Sequence, residues 1–336
     1  MTIAQQYYAT LLLVYLGVNV IAALGLNLQF GVTGILNFAF IIFQAAGAYA
    51  YALCTLGPRP SSSLVAGGFQ TYFWGTSLPF PIPFLIAALA GAGLSFLIGA
   101  VILPRLRGDY QAMAFLVVSL IATGVATNQI GLLNGANGLS SVPKPLMDQL
   151  GLALSDYEWF YVGLTAVFCV ACVWGCYRLT SSPLGRAMRT VRENEQAALA
   201  LGKDVRKLRM LAFVIGGGLA GLSGALLVGY ISAWAPGSWV YAETFVYITA
   251  VIVGGFGNNF GVIIGVLLVP ILFGEATRFL PNVGQAGWID AGQLIVYGIL
   301  TLLFLWFRPR GVFPERRVRF ASAVPTESQP ASSSPP

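Results

Sequence analysis

Apolar residues in this chain come in continuous runs of about twenty, separated by short polar breaks. The clearest are Leu11 to Phe30, Ile35 to Leu56, Ile82 to Leu103, Ala112 to Leu133, Trp159 to Arg178, Leu208 to Ile231 and Ile289 to Phe307. A helix rises ~1.5 Å per residue and the hydrocarbon core of a bilayer is ~30 Å thick, so each run is long enough to cross as a helix. Two further runs, Thr244 to Gly254 and Phe260 to Gly274, are too short to span comfortably and flank the glycine-rich "GGFGNN". They predict two short helices or one re-entrant hairpin. Continuous runs, in place of short alternating stretches, exclude a membrane β-barrel. The expected fold is an all-α polytopic membrane protein with about eight or nine transmembrane helices, short or re-entrant segments included.

Composition agrees with the pattern. The chain is 57% hydrophobic and 9% charged, with 22 Phe, 14 Tyr and 7 Trp, which leaves too little polar surface to cover a soluble globule. The first basic residue is Arg59, so the start lacks the positive region of a signal peptide and the first apolar run reads as a retained span. Residues 1–320 read as one transmembrane domain. The tail 321–336, "ASAVPTESQPASSSPP", has nothing to bury and reads as disordered.

Charge sets the expected orientation. Alternating the spans places Arg105, Arg107, the eight basic residues from Arg178 to Arg209 and the five from Arg308 to Arg319 on one side, and only Arg59, Lys144 and Arg278 on the other. Basic residues favour the cytoplasmic face. Nine crossings would therefore leave the N-terminus outside and the C-terminus inside. The net charge of +6 is a topology signal and implies no nucleic-acid partner, because no basic patch lies on a soluble domain.

The loop 179–207 gathers much of the charge, with "GRAMRTVRENEQAALALG" at 185–202. Ser182 followed by Pro183 predicts an N-cap and first helical residue. Asn194 followed by Glu195 predicts a second start, and Gly202 a stop. Two short amphipathic helices on the membrane's inner face are expected.

Gly216, Gly218 and Gly221 spell G-x-G-x-x-G, but no strand precedes them and they continue an apolar run, so a dinucleotide site fails its context. Gly217, Gly221 and Gly224 instead make a smooth face for helix packing. Cys169, Cys172 and Cys176 share a helix face, yet a fourth ligand is missing and there is no histidine, so no metal is expected. No G-x-x-x-x-G-K-[ST] loop occurs, hence no nucleotide site of that kind. Polar residues within spans are candidates for a translocation path: Asn19, Asn27, Asn37, Gln44, Ser119, Thr123, Thr127 and Asn128. The hydroxyls have an alternative, since they can bond the carbonyl four residues back. Asp109 reads as the cap of the fourth span, and Glu243 and Glu275 as boundary charges.

The order Glu195, Ala197, Ala198, Gly202 resembles the E-x-A-A-x-x-x-G loop of ABC-transporter permeases. The neighbourhood "SPLGRAMRTVRENEQAALALGKDVRKLRMLAFVIGGGLAGLSGAL" is similar to the corresponding segment of the branched-chain amino-acid permease family of LivM type. Similarity extends to "RLRGDYQAMAFL", "NGANGLSSVP", "VIVGGFGNNFGVIIG" and "FRPRGVFPERR". The resemblance implies a permease subunit of a bacterial inner-membrane importer. Its implied partners are a second homologous permease, two cytoplasmic ATPases carrying ATP and Mg, and a periplasmic solute-binding protein. It implies no cofactor and no catalysis in this chain. The coupling helix would present Ala197, Ala198 and Gly202 as a small contact face, flanked by Arg186, Arg189, Arg192, Glu193 and Glu195. Relatives serving urea, short amides or aromatic acids are an alternative. A self-sufficient secondary transporter or channel would need charged groups at mid-membrane, and none is securely placed there; an intramembrane enzyme would need a base that the histidine-free chain lacks in its commonest form.

The charge pattern is testable by labelling. In a variant lacking the native cysteines, Lys144→Cys should react with an impermeant reagent on intact cells, and Asn194→Cys only after permeabilisation. Labelling of Asn194→Cys from outside would overturn the orientation.

Overall fold

The computed structural model describes residues 3–58, 70–106, 108–151, 153–275, 288–308 and 311–314. The readings that involve Arg59, Arg107, Arg278, Arg310, Arg316, Arg317, Arg319 and the tail 321–336 lie outside the described residues. The described chain is helical: α1 Ile3–Leu26, α2 Phe40–Thr55, α3 Ile82–Ile102, α4 Gly108–Asn128, α5 Leu154–Ser181, α6 Pro183–Glu193, α7 Glu195–Ala200, α8 Val205–Ile231, α9 Tyr241–Gly254, α10 Asn259–Val266 and α11 Trp288–Phe307. Among the described residues six helices are long and apolar enough to cross a bilayer, and Phe40–Thr55, Asn259–Phe273 and Ile295–Phe307 are shorter apolar helices. Asp109 stands inside the first turn of α4 and does not precede it.

Two helices end in a widened, π-helical stretch. α1 continues as Asn27–Val32, and α10 continues as Leu267–Phe273, which contains Pro270. Proline lacks the N–H that would close the usual turn, which accounts for the second widening. The two short apolar runs around "GGFGNN" form two helices, α9 and α10, joined by the turn Gly255–Asn258. Asn258 Oδ1 accepts the Phe260 N–H at 3.1 Å and so starts α10.

α8 is the hub. It packs against α1, α2 and α3, and each contact is made through glycine. A Cβ on Gly216 would come within 2.6 Å of the Gly25 carbonyl of α1; one on Gly217 would overlap Ser95 of α3; one on Gly221 would overlap the Ala87 carbonyl of α3; one on Gly224 would overlap the Gln44 carbonyl of α2. Gly47 of α2 and Gly91 of α3 answer from the other side, each with backbone atoms of α8 where its own Cβ would be. Lipid tails are as apolar as the side chains, so helices here gain little by burying leucines against one another; close backbone approach and dense packing must do it instead. α9 and α10 repeat the device, with Gly265 against the Ala250 carbonyl and Gly254 against Gly261.

The outward faces are apolar. Leu85, Leu89 and Leu97 on α3, Met113 and Ile121 on α4, Val167, Val170 and Trp174 on α5, and Leu302 and Trp306 on α11 are all exposed, as lipid-facing residues are. Contacts between helix ends sort the chain into two sides. At one end Thr10 of α1 bonds Glu158 of α5 (3.2 Å) and approaches Tyr230 of α8, while Tyr8 bonds Glu275 (2.5 Å). Lys144 belongs to this end, over the Tyr157 ring. At the other end lie Gly31, Thr180, α6, α7, the turn Gly255–Asn258 and the segment 311–314, whose Val312 and Phe313 N–H groups bond the carbonyls of Val253 and Gly254. In the orientation expected from charge, the first is the outer end and the second the inner end.

Filling the glycine contacts should be costly where backbones meet and harmless elsewhere. Gly221→Leu should destabilise the detergent-solubilised protein by about 1–3 kcal/mol or more, read as a lower unfolding temperature. Gly93→Leu on the open face of α3, where nothing lies within 4 Å of the position, should leave it unchanged. Equal losses in both variants would contradict glycine-mediated contact at α8.

Candidate functional site

At the inner end, the loop between α5 and α8 folds as its capping residues dictate. Ser182 Oγ accepts the Gly185 N–H at 3.3 Å with Pro183 as the first helical residue. Asn194 Oδ1 accepts the Ala197 N–H at 3.0 Å, and Gly202 closes α7 at φ +73°. Asp204 caps α8 by accepting the Lys207 N–H at 3.0 Å. That bond, together with the Lys207 ammonium 3.0 Å away, holds its carboxyl below the usual carboxylate range.

The apolar side of the loop is buried in a small core of its own. Met188 and Val191 of α6 and Ala198 of α7 pack with Leu28 and Val32 of α1 and Val205, Leu208 and Ala212 of α8. Ala198 is 0% exposed, so it belongs to the base of the loop and not to an outward contact face. A six-residue helix has one apolar side to bury, and Ala198 is on it. The outward face carries Leu199 and Leu201, 56% and 70% exposed, beside Ala197 and Gly202.

Charged residues of the loop divide in the same way. Arg189 donates to the Thr180 carbonyl at 3.1 Å, and Arg192 donates to the Gly31 carbonyl and lies over the Phe256 ring. Glu195 lies 3.7 Å from the Arg209 guanidinium, which also donates to Gln111 of α4 at 2.7 Å. These three residues fasten the loop to α1, α5 and α8. Arg186 and Glu193 are exposed and remain on the outer rim of the loop. The sequence pattern alone does not separate the two sets, since an arginine that staples a loop and one that faces water occupy the same kind of stretch.

At the outer end the helices surround a cavity of about 700 Å³. α1 lends Tyr15 and Asn19, α2 Ile41 and Gln44, α8 Leu227 and Ile231, α9 Glu243 and Tyr247, α10's extension Pro270 and Ile271, and α11 Tyr297. Trp234 and the segment 137–140 close one wall. The Tyr247 hydroxyl stands 3.0 Å from Asn19 Oδ1 and 3.3 Å from Gln44 Oε1, so one phenol joins the polar groups of α1 and α2. The Trp234 indole N–H, buried at the wall, has no partner among the described residues. Such a donor is costly to bury unpaired.

The eight residues proposed for a path fall into three places. Asn19 and Gln44 line the cavity. Asn27 and Asn37 are fully buried at the inner end: Asn37 donates to Gln29 Oε1 at 2.8 Å, Gln29 donates to the Phe213 carbonyl at 2.9 Å, and Asn27 donates to Asn259 at 3.0 Å. On α4, Thr123 bonds the Ser119 carbonyl, Thr127 the Thr123 carbonyl and Asn128 the Gly124 carbonyl, at 2.8–2.9 Å. Those three side chains satisfy themselves along their own helix, the buried Ser119 hydroxyl has no partner among the described residues, and none of the four lines the cavity. Tyr15, Tyr247 and Trp234 were not singled out by sequence, because aromatic residues within spans look alike until their neighbours are known.

Comparison with known proteins follows the same outline. The family described as "Branched-chain amino acid transport system / permease component" matches residues 8–305. The "High-affinity branched-chain amino acid transport system permease protein LivM" of Escherichia coli (strain K12) is 30% identical over 329 residues, covering 92% of this chain and 70% of the relative. The "Probable branched-chain amino acid transport permease protein LivM" of Methanocaldococcus jannaschii is 27% identical, covering 92% and 94%. The "Guanosine ABC transporter permease protein NupQ" of Bacillus subtilis is 25% identical, covering 63% and 69%. No solved structure matches the chain. With nine apolar helices in the described chain, a capped loop at one end, a cavity at the other, and a family match over most of its length, this multi-pass membrane protein belongs to the permease-component family of branched-chain amino acid transport systems.

Proposed function

We propose that this chain is the membrane-spanning permease subunit of an ATP-driven importer that moves a small solute, in the first place leucine, isoleucine or valine, inward across the bacterial inner membrane. The observation that carries the reading is the loop α6–α7. Its base is locked into α1, α5 and α8, while Leu199 and Leu201 face water. Large apolar side chains exposed on a rigid, capped helix suit insertion into a groove on a soluble partner. The partner of that chemistry is an ATPase subunit, one of two, with ATP and Mg bound there and not on this chain. The basic loop then lies in the cytoplasm together with the C-terminus.

A second, homologous permease would complete the membrane unit, and a periplasmic solute-binding protein would deliver the solute to the outer cavity. That cavity supplies neutral hydrogen-bonding groups at Asn19, Gln44 and Tyr247, apolar walls at Ile41, Leu227 and Ile271, and the carboxylates of Glu243 and Glu275. Such a lining suits a small solute with an apolar side chain and a polar head. The guanosine relative favours a second solute class, and the test below includes it.

Leu199→Asp and Leu201→Asp change exposed side chains of the loop, outside the membrane helices. An apolar anchor at an interface is worth about 2 kcal/mol or more, so recovery of the ATPase subunits with the purified permease should fall by about tenfold or more in each variant, with membrane abundance unchanged. ATP hydrolysis stimulated by L-leucine, or by guanosine, with the binding protein present should fall in parallel. Wild-type recovery in both variants would show the loop to be a solvated connector.

A further inference from the structure

The inner end holds a buried polar arrangement that neither the docking face nor the cavity uses. Asn27, at the start of the π-helical turn of α1, is 0% exposed. It donates from Nδ2 to Asn259 Oδ1 at 3.0 Å and accepts the Gly257 N–H on its own Oδ1 at 2.9 Å, which ties α1 to the α9–α10 turn. Asn259 donates in turn to Thr180 Oγ1 at 3.1 Å, in the last turn of α5. Arg192 of α6 reaches the same π-turn at the Gly31 carbonyl and covers Phe256 of the α9–α10 turn. There is no slack: a Cβ on Gly31 would run into the Asn27 side chain and come within 2.6 Å of the Gly257 N, and one on Gly34 would stand 3.1 Å from Arg192 Cγ.

Hydrogen bonds of this kind are strong and direction-specific in a low-dielectric interior, and a broken member leaves an unpaired polar group there. Four elements are therefore held to one another at a single turn. α1 then continues without interruption from Asn27, about 12 Å to Asn19 and about 18 Å to Tyr15 at the helix's ordinary rise, and those two residues line the outer cavity. The π-turn itself is the place in α1 where the backbone departs from regular helix, and such turns are frequent at functional sites.

We propose that Asn27 and Arg192 form a relay that carries displacement of α6 and α7 into α1 and on to the outer cavity, with Asn27 as a positioning residue that makes α1 and α10 move as one body. Arg192 transmits the shift to the Gly31 carbonyl. Asn27 stops α1 from sliding past the α9–α10 turn. This inference rests on the ATP-driven reading above. It goes beyond docking, because Asn27 is buried and touches no partner subunit's surface.

The test reads the outer end while perturbing the inner one. Nitroxide labels at Leu13→Cys and Val240→Cys, both exposed positions at the outer end, would be introduced with Cys54, Cys169, Cys172 and Cys176 replaced. The label separation would be measured by pulsed electron resonance in the complex with its ATPase subunits, without nucleotide and with ATP plus vanadate. Unaltered Asn27 and Arg192 should give a nucleotide-dependent change in separation. In Asn27→Leu and in Arg192→Met that change should be lost out of proportion to any fall in ATP hydrolysis, and Arg192→Lys, which keeps a donor for Gly31, should restore it. A full change in both variants, or a loss that only tracks lost hydrolysis, overturns the relay. Active hydrolysis with no change in the unaltered complex overturns the ATP-driven reading itself.

Discussion

The structure depends on how closely three helices approach α8. In a bilayer no hydrophobic gain brings helices together, so the chain must hold them by backbone proximity and dense contact. Gly216, Gly217, Gly221 and Gly224 provide that proximity on successive sides of one helix, towards α1, α3 and α2. Remove one of these faces and the helix it contacts loses its register against the hub. The consequence reaches both ends of the protein, because α8 rises directly from the capped loop at Asp204 and delivers Leu227 and Ile231 to the cavity wall.

The hub explains why loop and cavity can be coupled at all. The small core under the loop is built from α1 and α8 residues, Leu28, Val32, Val205, Leu208 and Ala212, and the same two helices line the cavity about half a membrane away. Buried amides at the loop end of the membrane helices are paired. Asn37 bonds Gln29 and Gln29 bonds Phe213, so the turn between α1 and α2 is fixed to α8 before either helix reaches mid-membrane. Arg189 and Arg192 act likewise, each giving a charge-assisted donor to a carbonyl at the end of a membrane helix.

Much of this was legible in the sequence, for identifiable reasons. Run length fixes which segments cross, and all nine apolar runs correspond to helices of the described chain. Ser182, Asn194 and Gly202 set the loop's helices because capping is a local interaction between residues three or four apart. Facing is not local. Ala198 lies at the loop's base and Leu199 on its surface because of where α6, α1 and α8 stand. The same applies to Thr123 and Thr127 of the α4 stripe, whose hydroxyls satisfy themselves, and to Tyr247, which gains meaning only when Asn19 and Gln44 meet it from two other helices. Nor did the apolar pattern mark the π-helical turn at Asn27–Val32, since a widened turn changes hydrogen bonding and leaves hydrophobicity untouched.

Energy supply separates this account from a self-sufficient transporter most directly. The measurement is uptake of radiolabelled L-leucine, and separately guanosine, into proteoliposomes holding the permease pair and the binding protein, with and without the ATPase subunits and ATP. The expected result is accumulation of one solute only when both ATPase subunits and ATP are present, unaffected by collapsing ion gradients. Accumulation driven by an ion gradient in the absence of the ATPases would contradict the account.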